Sequence, residues 1–487
     1  MVSTQSVVLS LGILFLLYFI KAERKLAAFP GPAIARYTDW WKVYRHWKGD
    51  YVEVMSEWHK KHGPFIRNGP NSLCVGGVEN ARKVYQTNPV LKKGSVFKTM
   101  VTWYKGRSVS GLEAILDENE HTTTKRMVSK TFTPVSVMGF ESKMDQCTLE
   151  FIGHVEERGS FDMAEWFVYY FADMMNDIAF SAKPGFMEHA TDVDGSLYIT
   201  KVITLTWARV HAIPTIMSWL SWALGYMVGL NWKVVRLGRE CLNSRLEKPD
   251  PEKTDLLNVY IEAGQERPDM ISPERVLGMT LSTIIGGSDI TAFTVTYGLS
   301  EILKNQNILS NIEQEIKGHE LSYPPSIKEL SKLPYLNAIV KETLRLSSPV
   351  QFNLDRVTPD GGMEMGGTHI PAGTTVGCLQ GIINHDEVFG SDVTVFRPER
   401  WIEASEEKHN LMERSIMAFG MGKHTCIGQH FANAQLRKII ATLLMRFEVS
   451  AVDPHARLVW NTRTFLRHPQ SYYISVKRRQ SIDVAKA

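Results

Sequence analysis

Residues 419–430 read FGMGKHTCIGQH, running from Phe419 to His430. One cysteine, Cys426, stands among Gly420, Gly422 and Gly428, with Lys423 and His424 just before it. Glycine tolerates positive φ without steric cost, so these three predict a backbone that turns tightly and lets another group come close. Directly afterwards, residues 429–447 place Phe431, Ala434, Ile439, Leu443 and Phe447 along one side of a helix. Cys426 is therefore predicted at a helix N-terminus, where free N–H groups and the helix dipole favour a thiolate. A thiolate in such a loop serves as a nucleophile, a redox sensor or a metal ligand, and His424 is close enough to be a nucleophile's base.

The rest of the chain narrows the setting. Its 487 residues, 44% hydrophobic and 22% charged, are ample for a large buried core. A net charge of +3, with no basic tract interleaved with aromatics, argues against nucleic acid as a partner. Cys74, Cys147, Cys241, Cys378 and Cys426 form no CxxC or CxxCH pair, which leaves zinc ribbons and covalent haem attachment without sequence support and suggests a reducing compartment.

From Val2 to Ile20 there is no charged side chain, and these 19 residues reach roughly 28 Å as a helix, about one bilayer core. Lys21, Arg24 and Lys25 follow the apolar run rather than precede it, which predicts a retained single-pass anchor over 1–20 with the body in the cytosol. No N-x-[ST] acceptor site occurs, in keeping with a body outside the secretory lumen. A charged linker then spans 21–32 and ends in a stiff Pro30-Gly31-Pro32 hinge. Trp40, Trp41, Tyr44, Trp47 and Tyr51 follow, suited either to lipid headgroups or to core packing.

No repeat or long linker divides residues 33–487, which read as one domain. Helical spacing covers 162–182, 276–303, 331–346 and 429–447, while short β-like stretches cluster at 65–75 and 350–376. The fold class is mainly α with small β-sheets.

The pattern F-x-x-G-x-x-x-C-x-G, met by Phe419, Gly422, Cys426 and Gly428, closely resembles the haem-ligand loop of the cytochrome P450 family. Glu342 and Arg345, in KETLR, resemble that family's E-x-x-R, and at i,i+3 their side chains meet on one helix face. FRPERW, residues 396–401, is similar to its PERF element, whose arginine, here Arg400, completes a Glu-Arg-Arg cluster supporting the cysteine loop. Gly286-Gly287-Ser288-Asp289-Ile290-Thr291 looks like the oxygen-binding groove of the long I helix. Paired glycines inside a helix cost about 1 kcal/mol each relative to alanine, so either a widened turn making room for dioxygen or close helix packing has to justify them.

The resemblance runs along essentially the whole chain and is nearest to the fungal microsomal branch. It implies haem b (iron-protoporphyrin IX) held between the I helix and the Cys426 loop, with Cys426 as axial iron ligand and Gly286, Gly287, Asp289 and Thr291 on the oxygen side. By family position His121, Lys125, Arg356 and His424 face the haem propionates, Lys125 supplying the charge but not the bidentate fork of arginine.

Two departures stand out. Ile290 occupies the position that usually holds threonine, and isoleucine cannot donate a hydrogen bond to dioxygen; protons would come through Asp289, Ser288, Thr291, water or a substrate hydroxyl. His424 stands where many members have arginine, which predicts a pH-dependent charge.

The resemblance further implies NADPH as the electron source through a separate flavoprotein reductase, with cytochrome b5 as an additional partner, docking on a positive face of Lys423, His424, Arg437 and Lys438. It implies a lipophilic substrate in a pocket walled by residues 204–227 (Trp207, Trp219, Trp222), 350–353 and the turn at Phe465-Leu466, and location at the endoplasmic reticulum membrane. The leading activity is a monooxygenase of fungal secondary metabolism. Oxidative coupling, ring closure or rearrangement without oxygen insertion is the alternative, and a non-catalytic haem sensor or electron carrier a remote third.

Overall fold

The computed structural model describes residues 24–104, 107–227, 233–463 and 466–479. The elements that frame the site are, in chain order, helix α1 (Trp40–Lys48), strands β1 (Phe65–Gly69), β2 (Ser72–Val75) and β3 (Lys92–Lys93), helix α2 (Glu118–Val128) and strand β4 (Ser160–Asp162). Helices α3 (Met163–Phe180), α4 (Ser196–Val210), α5 (Pro214–Met227), α6 (Pro273–Lys304) and α7 (Pro334–Ser347) follow. Strands β5 (Arg356–Val357) and β6 (Thr375–Gly377), helices α8 (Gln380–Ile383) and α9 (Gln429–Arg446), and strands β7 (Phe447–Ala451) and β8 (Tyr473–Arg478) complete the set.

Helix ends fall where local chemistry puts them. Asp162 caps α3 by accepting the Ala164 N–H at 3.0 Å. Ser272 caps α6, with Pro273 as its first residue, and α7 likewise begins on a proline. The four helices expected from apolar spacing are therefore present, with ends shifted by at most three residues, as for α7, which opens at Pro334 rather than Ser331.

Of five small sheets among the described residues, two have more than two strands. One has the order β1-β2-β6-β5-β3, antiparallel except for the parallel pairing of β6 with β2; the other has the order β7-β8-β4. The first sheet matters for chemistry because its register sets Lys93 of β3 opposite Arg356 of β5. Helix α6 runs through the largest apolar cluster, packed along α3 on one side and against α7 and α9 on others.

By length and hydropathy α6 would suit a membrane span, but it is mostly buried inside the protein, as the core helix of a large fold often is. The expected anchor at 1–20 lies outside the described residues. The segment after it is not a free hinge: Leu26 and Phe29 are buried, the Pro30 carbonyl accepts the Arg67 N–H at 2.7 Å, and a Cβ on Gly31 would stand 2.1 Å from the Arg67 carbonyl oxygen. Pro30-Gly31-Pro32 is thus docked onto β1, its glycine required by the close approach of two backbones.

Candidate functional site

The Cys426 loop is closed by its own backbone, the Cys426 N–H donating to the Phe419 carbonyl at 2.9 Å and Gly420 N–H to Met417 at 3.0 Å. Gly420 and Gly422 take positive φ, and a Cβ on Gly422 would lie 1.8 Å from the Tyr85 carbonyl oxygen, so that position admits nothing larger. Gly428 differs from expectation: its φ is −79°, and its contribution is the backbone N–H it donates to the Cys426 sulfur. The thiol lies deep among protein atoms yet its residue is exposed, so it faces an opening within the molecule. Its pKa also departs from expectation. Burial raises it, outweighing the Gly428 N–H and Lys125, so the thiol favours its neutral form unless a metal ion binds it.

Beneath the loop lies a fully buried charge network. Glu342 accepts from Arg345 Nε (2.9 Å) and Nη2 (2.7 Å), Arg400 Nε (2.9 Å), Trp401 Nε1 (2.9 Å) and the Arg397 N–H (3.0 Å). Every carboxylate lone pair is used, which is the condition for a buried ion cluster to hold. The network reaches the cysteine through Asn384: Arg345 donates to its carbonyl (2.8 Å), and its side chain accepts the Met417 N–H (2.8 Å). Gln380 of α8 adds bonds to the carbonyls of Met417 (3.1 Å) and Ala418 (3.0 Å). Sequence reasoning missed Asn384, Gln380 and Trp401, although Trp401 stood in the quoted FRPERW.

On the other side of the loop, cations crowd together. Arg356 Nη2 donates to His424 Nδ1 at 3.1 Å, and His424 Nε2 lies 2.8 Å from Glu118 Oε1. That pairing fixes a neutral imidazole carrying its proton on Nε2. Burial, then Arg356 and Lys93, hold the His424 pKa down at about 2, so the expected pH-dependent charge does not arise. His121 of α2 sits 4.7 Å from His424 ring to ring, is buried, keeps Nδ1 without a partner and has its pKa lowered to about 3 by burial.

Lys125 does not point away as a free charge. Its Nζ donates to the carbonyls of Lys423 (3.0 Å) and Thr425 (2.8 Å), tying α2 to the cysteine loop. Lys93, missed in the sequence, joins the group with Nζ on the carbonyls of Leu112, Glu113 and Ile115. Glu118, His121 and His424 lie close enough to chelate a metal ion, but both His424 nitrogens are engaged and surrounding cations oppose a metal charge there.

Helix α6 is a continuous α-helix through the Gly286-Gly287 pair, with no widened turn. The two glycines separate the two explanations offered for them. A Cβ on Gly286 would meet nothing within 4 Å, whereas one on Gly287 would lie 2.7 Å from the Met175 methyl of α3. Gly286 keeps a groove open, and Gly287 is there for helix packing. Ile290, one turn after Gly286, is half-buried on the same face.

Asp289 makes no side-chain hydrogen bond or ion pair among the described residues, and burial alone raises its pKa to about 7. Ser288 is already committed, donating to the Ile284 carbonyl at 2.7 Å, and Thr291 is buried. The expected proton route through Ser288 therefore loses its support.

Apolar walls form partly as expected. Trp207 is buried, 4.9 Å from Phe352 ring to ring, and Val350 pairs with Leu466. Trp219 and Trp222 of α5 are instead exposed, 66% and 48%, and cannot wall a cavity; Phe465 lies outside the described residues. The early aromatics divide, with Trp41 and Tyr51 in the core and Trp40, Tyr44 and Trp47 exposed. Lys438 leaves the anticipated docking face altogether: it is fully buried and bonded to Glu141 (3.0 Å) and Asp145.

Known proteins resemble this chain along most of its length. The family model for cytochrome P450 matches residues 32–476. The chain is 29% identical to cytochrome P450 monooxygenase cicH of Emericella nidulans over 96% of each chain. It is 28% identical to cytochrome P450 monooxygenase asR2 of Sarocladium schorii, over 98% of this chain and 97% of the other, and 28% identical to gsfF of Penicillium aethiopicum over 93% of each.

Proposed function

The chain belongs to the cytochrome P450 family, and from that premise we propose a haem-thiolate monooxygenase that oxidises a lipophilic intermediate of fungal secondary metabolism, of terpenoid, polyketide or alkaloid type. The family implies haem, a redox partner and a small-molecule substrate. The observations that carry the assignment to particular residues are the exposed Cys426 in its closed loop, the open space beside Gly286 and the cations gathered around His424.

That cradle suits haem b. Arg356, Lys93 and Lys125 gather around His424 with Glu118, Glu113 and Asp355 as the acids in reach, His121 holds a buried Nδ1 with no partner, and two propionates would supply further acceptors. Cys426 would bind the iron, the metal's charge reversing the upward push on the thiol. A haem with a thiolate ligand activates dioxygen for attack on C–H bonds.

The chain's own residues do the rest. The Gly428 N–H and Lys125 tune the sulfur, and the Glu342–Arg345–Arg400 network, acting through Asn384, fixes the loop height. Gly286 leaves space on the oxygen side. Asp289, neutral below about pH 7, holds a proton within the same helix turn. Trp207, Phe352 and Val350 exclude water and favour an apolar substrate.

Electrons come from NADPH through a flavoprotein reductase, with cytochrome b5 as a second donor, and half-buried Lys423 and Arg437 remain of the proposed docking cations. Residues 1–20 anchor a single catalytic domain, residues 33–487, to the cytosolic face of the endoplasmic reticulum. The exposed Trp40, Tyr44 and Trp47 of α1 and Trp219 and Trp222 of α5, on two helices that both pack on α4, suit the headgroup layer.

Reduced enzyme with carbon monoxide tests the core of this reading. A thiolate-type Soret band lost in Cys426→Ser is expected; a histidine-type band, or one indifferent to that substitution, overturns it. One observation favours oxidative coupling as a second reading: neither Ile290 nor the committed Ser288 offers a hydroxyl to the groove. Product mass under labelled dioxygen separates the two, since coupling incorporates no label.

A further inference from the structure

A second pocket of about 120 Å³ lies between α1, the β1-β2 hairpin, the start of α5 and the segment leading into β5. It stands behind the Trp207–Phe352 wall, His211 lining it and stacking on Trp207 at 4.7 Å. Nothing in the haem-directed site uses its polar groups.

Its acceptors outnumber its donors. Lys42 is the one charged donor, and it is taken up by Asp39 (2.8 Å) and the Ser72 hydroxyl (3.1 Å). The Asp355 carboxylate, also in the lining, has no hydrogen-bond partner among the described residues. Asn68 is 2% exposed and its Oδ1 is unpartnered. The orientation of that amide follows from its neighbours: Tyr51 donates to Asn353 Oδ1 (2.8 Å), so its oxygen accepts from Asn68 Nδ2 (2.9 Å) and leaves Asn68 Oδ1 as a bare acceptor.

The backbone is shaped around these groups. A Cβ on Gly377 would lie 2.5 Å from Asp355 Oδ1, one on Gly94 would lie 2.6 Å from the Asp355 Cβ, and one on Gly69 would lie 2.5 Å from Asp39 Oδ1. None of the three glycines has positive φ, so space and not backbone freedom requires them. Two carboxylates against one committed lysine leave the lining net negative, with Arg356 as a further cation acting on Asp355, and the volume has room for a small polar group and several waters.

We infer that this pocket binds a primary ammonium group, a cation that offers only donors to the unpartnered Asp355 carboxylate and Asn68 amide oxygen. The group comes either as free ammonium ion or as the head of an alkylamine. The assignment stands apart from the reaction at the Cys426 opening.

The test uses the haem-loaded full-length chain in detergent at pH 7.5, with Tm followed against ammonium, butylammonium and tetramethylammonium chlorides at matched ionic strength. Ammonium should raise Tm saturably by about 1–3 °C where tetramethylammonium, which has no N–H, does not. A matching rise with butylammonium identifies a head-group site for amines; ammonium alone identifies a free-ion site. Asp355→Asn should abolish the rise. Equal behaviour of all three cations, or an unaltered response in Asp355→Asn, overturns the inference, and the wild-type comparison decides it even if that variant does not fold.

Discussion

Lys93 and Arg356 stand directly opposite one another on neighbouring antiparallel strands. Like charges at such a pair oppose folding, and here both are buried beside the same ring, Phe97 lying 5.6 Å from each cationic group. The Lys93 pKa is lowered to about 8, chiefly by burial and then by Arg356. Such an arrangement needs anions: Glu118 acts on both cations, Glu113 on Lys93 and Asp355 on Arg356. Replacing Arg356 by Leu should reduce haem retention several-fold, measured as haem per polypeptide after gel filtration, while the apo chain loses less stability than a buried ion pair would cost. Undiminished haem content in Arg356→Leu would remove Arg356 from the cradle.

The Glu342 network predicts the opposite balance. Glu342→Gln leaves Arg345 and Arg400 buried with incomplete partners, at a cost of about 3–5 kcal/mol. Chemical denaturation should show that loss in the apo chain as well as in the loaded enzyme. Asn384→Leu should be milder in stability yet alter the position of the Soret band, because it touches the cysteine loop at Met417.

Much of this was legible in the sequence, and the boundary is physical. Glu342, Arg345 and Arg400 could be read because their roles depend on local spacing and a fixed chemistry. Lys93 could not, since only the pairing of β3 with β5 brings it to Arg356. Gly286 and Gly287 look alike as letters; which one faces open space depends on where α3 places Met175. Trp219 and Trp222 misled because apolar residues cover a membrane-facing or exposed helix as readily as a cavity wall. The Cys426 thiol misled because burial outweighs both the Gly428 N–H and the nearby Lys125.

Asp289 should leave a mark on stability against pH. Its pKa is about 7 in the folded chain against an ordinary 3.8, so between those values the folded state holds a proton the unfolded state has lost. This group's contribution to stability therefore falls as pH rises from about 4 to 7 and levels off above. Asp289→Asn should match wild type near pH 4 and exceed it at pH 8 by roughly 2–4 kcal/mol, seen as a higher Tm. The same variant should turn over more slowly below pH 7, where the native side chain carries its proton.

Ile290→Thr should restore a hydroxyl one turn from Gly286. If the native relay is weak, hydrogen peroxide released per product should fall, since a positioned proton donor speeds proton transfer by up to about 10²–10⁴-fold. Unchanged leakage would show that Ile290 does not limit proton delivery.

Three alanine substitutions separate space, packing and backbone conformation. Gly286→Ala meets no atom within 4 Å, so it should gain about 1 kcal/mol of helix stability while narrowing the groove and lowering turnover. Gly287→Ala presses on Met175 from 2.7 Å and should cost about 1–3 kcal/mol with a smaller effect on turnover per folded enzyme. Gly422→Ala combines positive φ with a 1.8 Å approach to the Tyr85 carbonyl, and should abolish the thiolate-type carbon monoxide spectrum. Thermal denaturation, haem content and product rate measured on all three decide the assignment. If Gly286→Ala and Gly287→Ala behaved alike, the division of the pair into one groove residue and one packing residue would fail.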